Sequence, residues 1–275
     1  MKRHSIMPGF APSLGFTVVY LCLVVLIPLS TLVITSFGLS FSEYLKIITH
    51  ARVLASFKVS FTASLFAAFC AGLIGFVIAW VLVRYPFPGK KFFDALIDLP
   101  FALPTAVAGI VLATIYQPSG MLGRMLMQQF GLQVAYKPLG IVFALIFISL
   151  PFVVRTLEPV LQEFDTAMEE AAASLGASRI KVFIHIILPN LFPAMLTGFA
   201  LAFARGIGEY GSVIFIAGNL PYVSEIIPLM IITKLEQYDV PGATAIALTM
   251  LVISFLLLLV INLLQRWVRI RSGQV

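Results

Sequence analysis

Six runs of apolar residues, near 14–37, 59–83, 95–116, 139–157, 192–217 and 243–265, dominate this 275-residue chain and limit what it can become. Each reaches the ~20 residues needed to cross a ~30 Å hydrocarbon core. Inside lipid every backbone amide needs an internal partner, so a spanning segment is either a helix or a strand of a closed barrel. The runs lack the period-two alternation of barrel strands. The expected fold is therefore an all-α polytopic membrane protein with six transmembrane helices in one domain, 1–275. Composition agrees, with 60% apolar and only 11% charged residues, against the ~25% charged that is usual in soluble domains.

The net charge of +6 raises the question of nucleic acid, but the basic residues are scattered among short loops and form no patch with interleaved aromatics. Topology explains them better. If the N-terminus lies inside, the inner set is Lys2, Arg3, Arg84, Lys90, Lys91, Arg155, Arg179, Lys181, Arg266, Arg269 and Arg271, and the outer set is Lys46, Arg52, Lys58, Arg124, Lys137 and Lys234. Eleven against six favours both termini in the cytoplasm. The first run is too long for a cleavable signal and reads as a retained span. Cys22 and Cys70 sit inside apolar runs, where they give neither a disulfide framework nor a metal site.

Between the spans, the pattern is informative in three places. The segment 38–58 carries Phe41, Tyr44, Leu45 and Ile48 at helical spacing, which suits an external interfacial helix or a linker. The third span opens with Asp94 and Asp98 and holds Pro100 and Pro104 beside Thr105. The acids suit helix capping; the prolines break the backbone ladder and point to a pathway-lining segment or a packing kink. The fourth span is expected to end at Pro151 and Arg155.

In the fifth span, Arg205 and Glu209 are four residues apart and so on one helical face. Counted from Pro193, Arg205 lies ~18 Å into the bilayer. There an arginine costs at least ~2.5 kcal/mol and needs compensation. The pair is either structural or a device in which Arg205 offers its planar fork to a passing anion. Ser212 follows in the same stretch, and Gly206, Gly208 and Gly211 suggest close helix approach at a subunit interface.

The longest polar interruption, 158–191, has helical order of its own. Val160, Phe164, Ala167, Ala171 and Leu175 recur at spacings of three and four, Gly176 marks a sharp turn, and Pro189 ends a second helical pattern. Two helices meeting at a glycine form a knuckle suited to docking another protein.

At these residues the chain resembles a known family. Glu170-Ala171-Ala172, then Gly176, then Ile186-Ile187-Leu188-Pro189 is similar to the EAA motif of ABC-importer permeases. The stretch from Asp98 to Gly109 resembles permeases for sulfate and molybdate, and Glu209 to Asn219 with Pro228-Leu229-Met230-Ile231 looks most like T-type subunits of sulfate/thiosulfate importers. The resemblance runs from about Pro8 to Gln265. It implies a type I ABC-importer permease fold in the bacterial inner membrane and a coupling role for Glu170, Ala171, Ala172, Gly176 and Pro189. A pathway is assigned to Asp98, Pro100, Pro104, Thr105, Arg205, Glu209 and Ser212. It also implies a homologous six-span W-type partner, two ATP-binding cassette subunits and an external sulfate/thiosulfate-binding protein. ATP and Mg would sit on the ATPase partners, with no cofactor on this chain. No Walker motif, metal-ligand cluster or nucleophile–base pair occurs, so the chain is not expected to be an enzyme. The rival readings are a molybdate or tungstate permease and an ATP-independent secondary anion transporter.

Overall fold

The computed structural model describes residues 10–271, with the side chains of residues 11 and 268–271 left out. Lys2 and Arg3, and the side chains of Arg269 and Arg271, therefore lie outside the described residues. The chain opens with α1 (Pro12–Phe37), α2 (Phe41–Ile48) and α3 (Ala51–Arg84). A broken stretch follows: α4 (Lys90–Ile97), α5 (Leu99–Ala102), α6 (Thr105–Tyr116) and α7 (Met121–Phe130). Next come α8 (Pro138–Gln162), the short α9 (Ala167–Ser174) and the long α10 (Arg179–Ile207). The fold closes with α11 (Val213–Ile216), α12 (Ile227–Glu236) and α13 (Val240–Arg271).

Three helices build the centre. Ala68, Ala71 and Ala79 of α3 pack against Val153, Val154 and Leu157 of α8 and against Leu191, Ala202 and Phe203 of α10. Without a hydrophobic drive between helices in lipid, association relies on van der Waals contact, and the alanine face of α3 permits it. Half of the α8 window is buried, against 11% for α13 and none for α1. Thus α8 is the hub, while α1 lies outermost and meets the bundle through α13.

Among the described residues, five helices are long and apolar enough to span, or six if the bent pair α6 and α7, at 46°, counts as one. The third expected span is thus discontinuous. Asp98 separates α4 from α5, and Leu103 adopts an extended ψ of 136° ahead of Pro104. A residue before proline is pushed out of the helical region by the proline ring, so the chain is interrupted there rather than merely kinked. The longest piece of the expected span, α6 with 12 residues, is ~18 Å long and cannot cross alone.

Three other boundaries differ from the sequence reading. The second span starts at Ala51, because the His50 imidazole accepts from the Arg52 amide and caps the helix; Arg52 and Lys58 thereby join α3. The remaining helix of that segment, α2, is fixed by a Ser40–Glu43 capping box and by a 2.6 Å bond between Tyr44 Oη and Thr249 Oγ1 of α13. The fourth span runs through Pro151 and Pro159 to Gln162, since a proline removes one ladder bond without stopping a helix that is packed on its neighbours. Pro189 likewise does not break α10. The turn before it, Phe183–Ile187, is a π-turn closed by the Leu188 amide on the Phe183 carbonyl, which accommodates the missing proline donor.

Candidate functional site

The docking knuckle is built by α9 and the start of α10. Glu169 and Glu170 occupy the first turn of α9, where the helix dipole favours acids. The helix ends in a Schellman motif. Gly176 takes φ of +85°, its amide donates to the Ala173 carbonyl, and the Ala177 amide donates to the Ala172 carbonyl. Ala172 and Ala177 both rest on the central core, which brings the turn down onto the bundle.

The apolar residues divide in a way that the spacing alone does not reveal. A single amphipathic helix from Val160 to Leu175 is expected, but α8 stops at Gln162 and the chain reorients before α9. Val160 and Phe164 pack inward, whereas Ala171 is exposed and Leu175 is 89% exposed. With Ile180 at 71% and Met168 at 45%, they form an apolar surface with no cover from this chain's described residues. Glu170, Gly176 and Pro189 are exposed as well.

A tether holds this surface to α3. Arg84 Nη2 donates to Glu169 Oε1 at 2.5 Å, and its guanidinium lies 5.1 Å from the Trp80 ring centre and 5.7 Å from that of Phe164. Phe183 of the π-turn meets Trp80 edge-on at 5.7 Å. The tether thus joins α3, α9 and α10 through one aromatic and ionic cluster. Sequence reasoning missed Arg84 and Glu169. Arg84 is the last residue of a span and reads as a topological anchor, and only the fold reveals its partner 85 positions away.

The second group lies where α10 ends. The helix stops at Ile207, ten residues before the expected limit of 217, and Glu209 sits in the turn that follows. Arg205 Nη1 donates to Glu209 Oε2 at 2.5 Å, while Glu209 Oε1 accepts from the Ser212 amide at 2.9 Å and from the Ser212 hydroxyl at 3.0 Å. Three charge-assisted bonds offset the cost of a carboxylate that is only 3% exposed. The Arg205 side chain is 32% exposed, so the pair joins a buried carboxylate to a partly open cation.

The start of α6 closes over this turn. A Cβ added at Gly109 would stand 2.4 Å from the Ser212 carbonyl, and one at Gly211 would stand 2.2 Å from Thr105 Oγ1. Gly206 faces Ser64 of α3. Gly206 and Gly211 thus make close contacts within the chain, whereas no atom of the described residues lies within 4 Å of a Cβ at Gly208. We expect Gly109→Ala to force α6 off the turn at a cost of about 1–3 kcal/mol. It should appear as a lower melting temperature of the detergent-solubilised protein; an unchanged melting temperature would mean that the contact is slack.

Thus Thr105, Arg205, Glu209 and Ser212 come together, with Pro104 immediately before α6. Asp98 and Pro100 do not join them. Asp98 is gripped by Arg155, whose Nε and Nη2 donate to its two oxygens at 2.9 and 2.6 Å. Arg155 also bonds Asp94 at 2.6 Å and Glu158 at 2.5 Å. Asp94 and Asp98 are therefore ion-pair partners that clamp the broken segment to α8, and neither caps its helix by a side-chain bond. Pro100 lines a separate apolar cavity of about 530 Å³ with Phe87, Phe93 and Leu150. Among the described residues no group of three or more His, Cys, Asp or Glu could hold a metal ion.

The described residues thus form a bundle of membrane-length helices with an uncovered apolar knuckle at one end and a buried ion pair where α10 stops. Residues 71–272 match the family of binding-protein-dependent transport system inner membrane components, and the chain belongs to that family as a permease subunit of an ABC importer. The sulfate transport system permease protein CysT of Salmonella typhimurium is 47% identical over 96% of this chain and 95% of its own length. That of Synechocystis sp. is 49% identical over 98% of this chain and 94% of its own. Among solved structures, a bacterial ABC transporter involved in the import of the acidic polysaccharide alginate aligns with a TM-score of 0.76, at 17% identity, over 93% of this chain and 94% of that one. The inward-facing MetNI methionine ABC transporter aligns with a TM-score of 0.54, at 16% identity, over 84% and 98%. These likenesses show the type I importer permease fold.

Proposed function

We propose that this chain forms half of the pathway of an ATP-driven importer for sulfate and thiosulfate. The observation that carries the substrate is the near full-length similarity to sulfate permeases, at 47% and 49% identity. The observation that carries the mode of action is the uncovered apolar surface around Leu175 and Ile180 on a tethered knuckle. A surface of this kind fits a cleft on an ATPase subunit, with Glu170 at the rim for a basic partner.

The working assembly contains this chain, a homologous six-span W-type permease, two ATP-binding cassette subunits and an external sulfate/thiosulfate-binding protein. ATP and Mg are held by the ATPase subunits, and this chain has no catalytic site or cofactor of its own. The assembly sits in the bacterial inner membrane with both termini cytoplasmic. Charge distribution supports that orientation, since Arg84, Arg155, Arg179, Lys181 and Arg266 fall toward the knuckle ends of their helices. The coupling loop is 158–191, with Glu170, Ala171, Ala172, Gly176 and Pro189 as its contact positions. The pathway positions are Thr105, Arg205, Glu209 and Ser212, with Asp98, Pro100 and Pro104 on the broken segment that borders it.

In this mechanism closure of the ATPase pair moves the knuckle. Arg84–Glu169 and the Phe183–Trp80 contact pass the displacement to α3 and α10, and α10 carries it to Arg205. There the partly open cation meets the anion while Glu209 holds its other edge.

The decisive experiment is uptake of labelled sulfate into proteoliposomes holding the chain, its copurifying partners and an excess of binding protein. Uptake that needs ATP and is competed by thiosulfate but not by molybdate is expected. Competition by molybdate would replace the substrate, and uptake without ATP would favour a secondary transporter.

A further inference from the structure

A basic pocket lies at the end of the molecule opposite the knuckle. It opens between the C-terminal part of α2, the start of α3 and the C-terminal half of α12, and has a volume of about 260 Å³. Its polar lining includes Lys46, His50, Arg52, Thr233, Lys234 and Gln237. Arg52 is the second and Arg84 the last residue of the 34-residue α3, so the pocket stands ~50 Å from the Arg84 tether.

The charge balance is positive. Arg52 gives Nε and Nη2 to Glu225 at 2.8 and 2.7 Å, and Lys234 donates to Asp239 at 2.7 Å. The Lys234 ammonium and the Gly242 amide hold the Asp239 carboxyl below the usual carboxylate range, so that acid stays charged and offsets its lysine. Lys46 has no ion-pair partner among the described residues. Two cations are thus matched by two carboxylates and the third is not. Donors also remain, namely Arg52 Nη1, the other ammonium protons of Lys234, the Thr233 hydroxyl and the Gln237 amide. Helix dipoles do not supply the field, because the positive end of α3 is opposed by the C-terminal ends of α2 and α12. The side chains do.

We propose that this pocket is an anion site that takes one tetrahedral oxyanion group, either a free sulfate or phosphate ion or the phosphate of an anionic lipid headgroup. Three cationic side chains from separate elements converge on a cavity large enough for the group and some of its water, and the donors fit oxygens arranged around a tetrahedral centre. Two of these cations are already fixed in place by Glu225 and Asp239, so binding orders only Lys46. The site is distinct from Arg205, on different helices, and its occupancy does not depend on which anion is transported.

The test uses the intact copurified complex in nanodiscs. In discs of uncharged phosphatidylcholine, binding of labelled sulfate and phosphate is measured by equilibrium dialysis. In discs doped with phosphatidylglycerol, retained lipid is counted by native mass spectrometry. Lys46→Gln, which breaks no pair, is expected to weaken one of the two signals about tenfold while the melting temperature is unchanged. A Lys46-dependent loss in the first arm assigns a free ion, and a loss in the second alone assigns a lipid headgroup. Lys234→Gln should act in the same arm. Equal binding by wild type and Lys46→Gln in both arms would overturn the site, and it would do so whether or not sulfate uptake is observed.

Discussion

Leu175→Asp is expected to leave the bundle folded and to abolish ATP-driven uptake. The side chain is 89% exposed, so its removal takes nothing from the core, and exposed substitutions of this kind shift stability by only about ±0.5 kcal/mol. Docking is different. An aspartate at the centre of an apolar contact has to be desolvated without a partner, and loss of a central anchor costs about 2 kcal/mol or more of binding, a factor of roughly 30. The variant should keep its melting temperature, fail to retain the ATPase subunits on purification, and show no substrate-stimulated ATP hydrolysis. Gly176→Val tests the same surface through the backbone. No atom lies within 4 Å of the added Cβ, yet φ of +85° is strained for a β-branched residue, so α9 should be misdirected rather than clashed. Normal coupling in both variants would show that the knuckle is not where ATP hydrolysis is felt.

The second large effect separates the two members of the buried pair. Glu209→Ala removes three bonds at once and leaves the Arg205 cation without its acid and the Ser212 amide without an acceptor. Leaving the buried Ser212 amide and hydroxyl without their acceptor costs about 1–3 kcal/mol each, a large share of the stability of an ordinary protein, so a lower yield of assembled complex is expected. Arg205→Ala is milder for the fold, because Glu209 keeps both bonds from Ser212 and the lost side chain is one-third exposed. Arg205→Ala should therefore yield an assembled complex that transports nothing. Size-exclusion chromatography with uptake on the same preparations decides it. Loss of assembly in both variants would make the pair structural, and uptake by Arg205→Ala would remove Arg205 from the pathway.

Local pattern was enough wherever a single residue forces the backbone. The break in the third span follows from Pro104, and the turn of the knuckle follows from Gly176, which heads a Schellman motif no other residue forms as readily. Helix class and five of the six spans followed from apolar run length, with boundaries displaced where a cap or π-turn intervened, as at His50 and Phe183–Ile187, while the third run is discontinuous. Pairing between distant segments was not legible. Glu169 and Glu170 are neighbours with the same chemistry, and only the packing of α9 on α3 directs the first to Arg84 and the second outward. The same holds for Asp98, whose partner Arg155 is 57 positions away on α8. Arg205 and Glu209 were paired correctly on spacing, although the helix ends between them and the contact is made across a turn.

Helix α3 runs for 34 residues without a proline, and each end is pinned by an arginine: Arg84 to Glu169 near the knuckle and Arg52 to Glu225 at the far face. A beam clamped at both ends cannot lengthen, so a push at one end arrives at the other as tilt rather than as bending. Glu225 belongs to the segment that leads from Ser212 into α12, and Ser60 of α3 accepts from the Ile227 amide in the same segment. In the proposed mechanism the two ends of the bundle are thereby geared through a single strut, and the far-face loop is expected to turn with the knuckle.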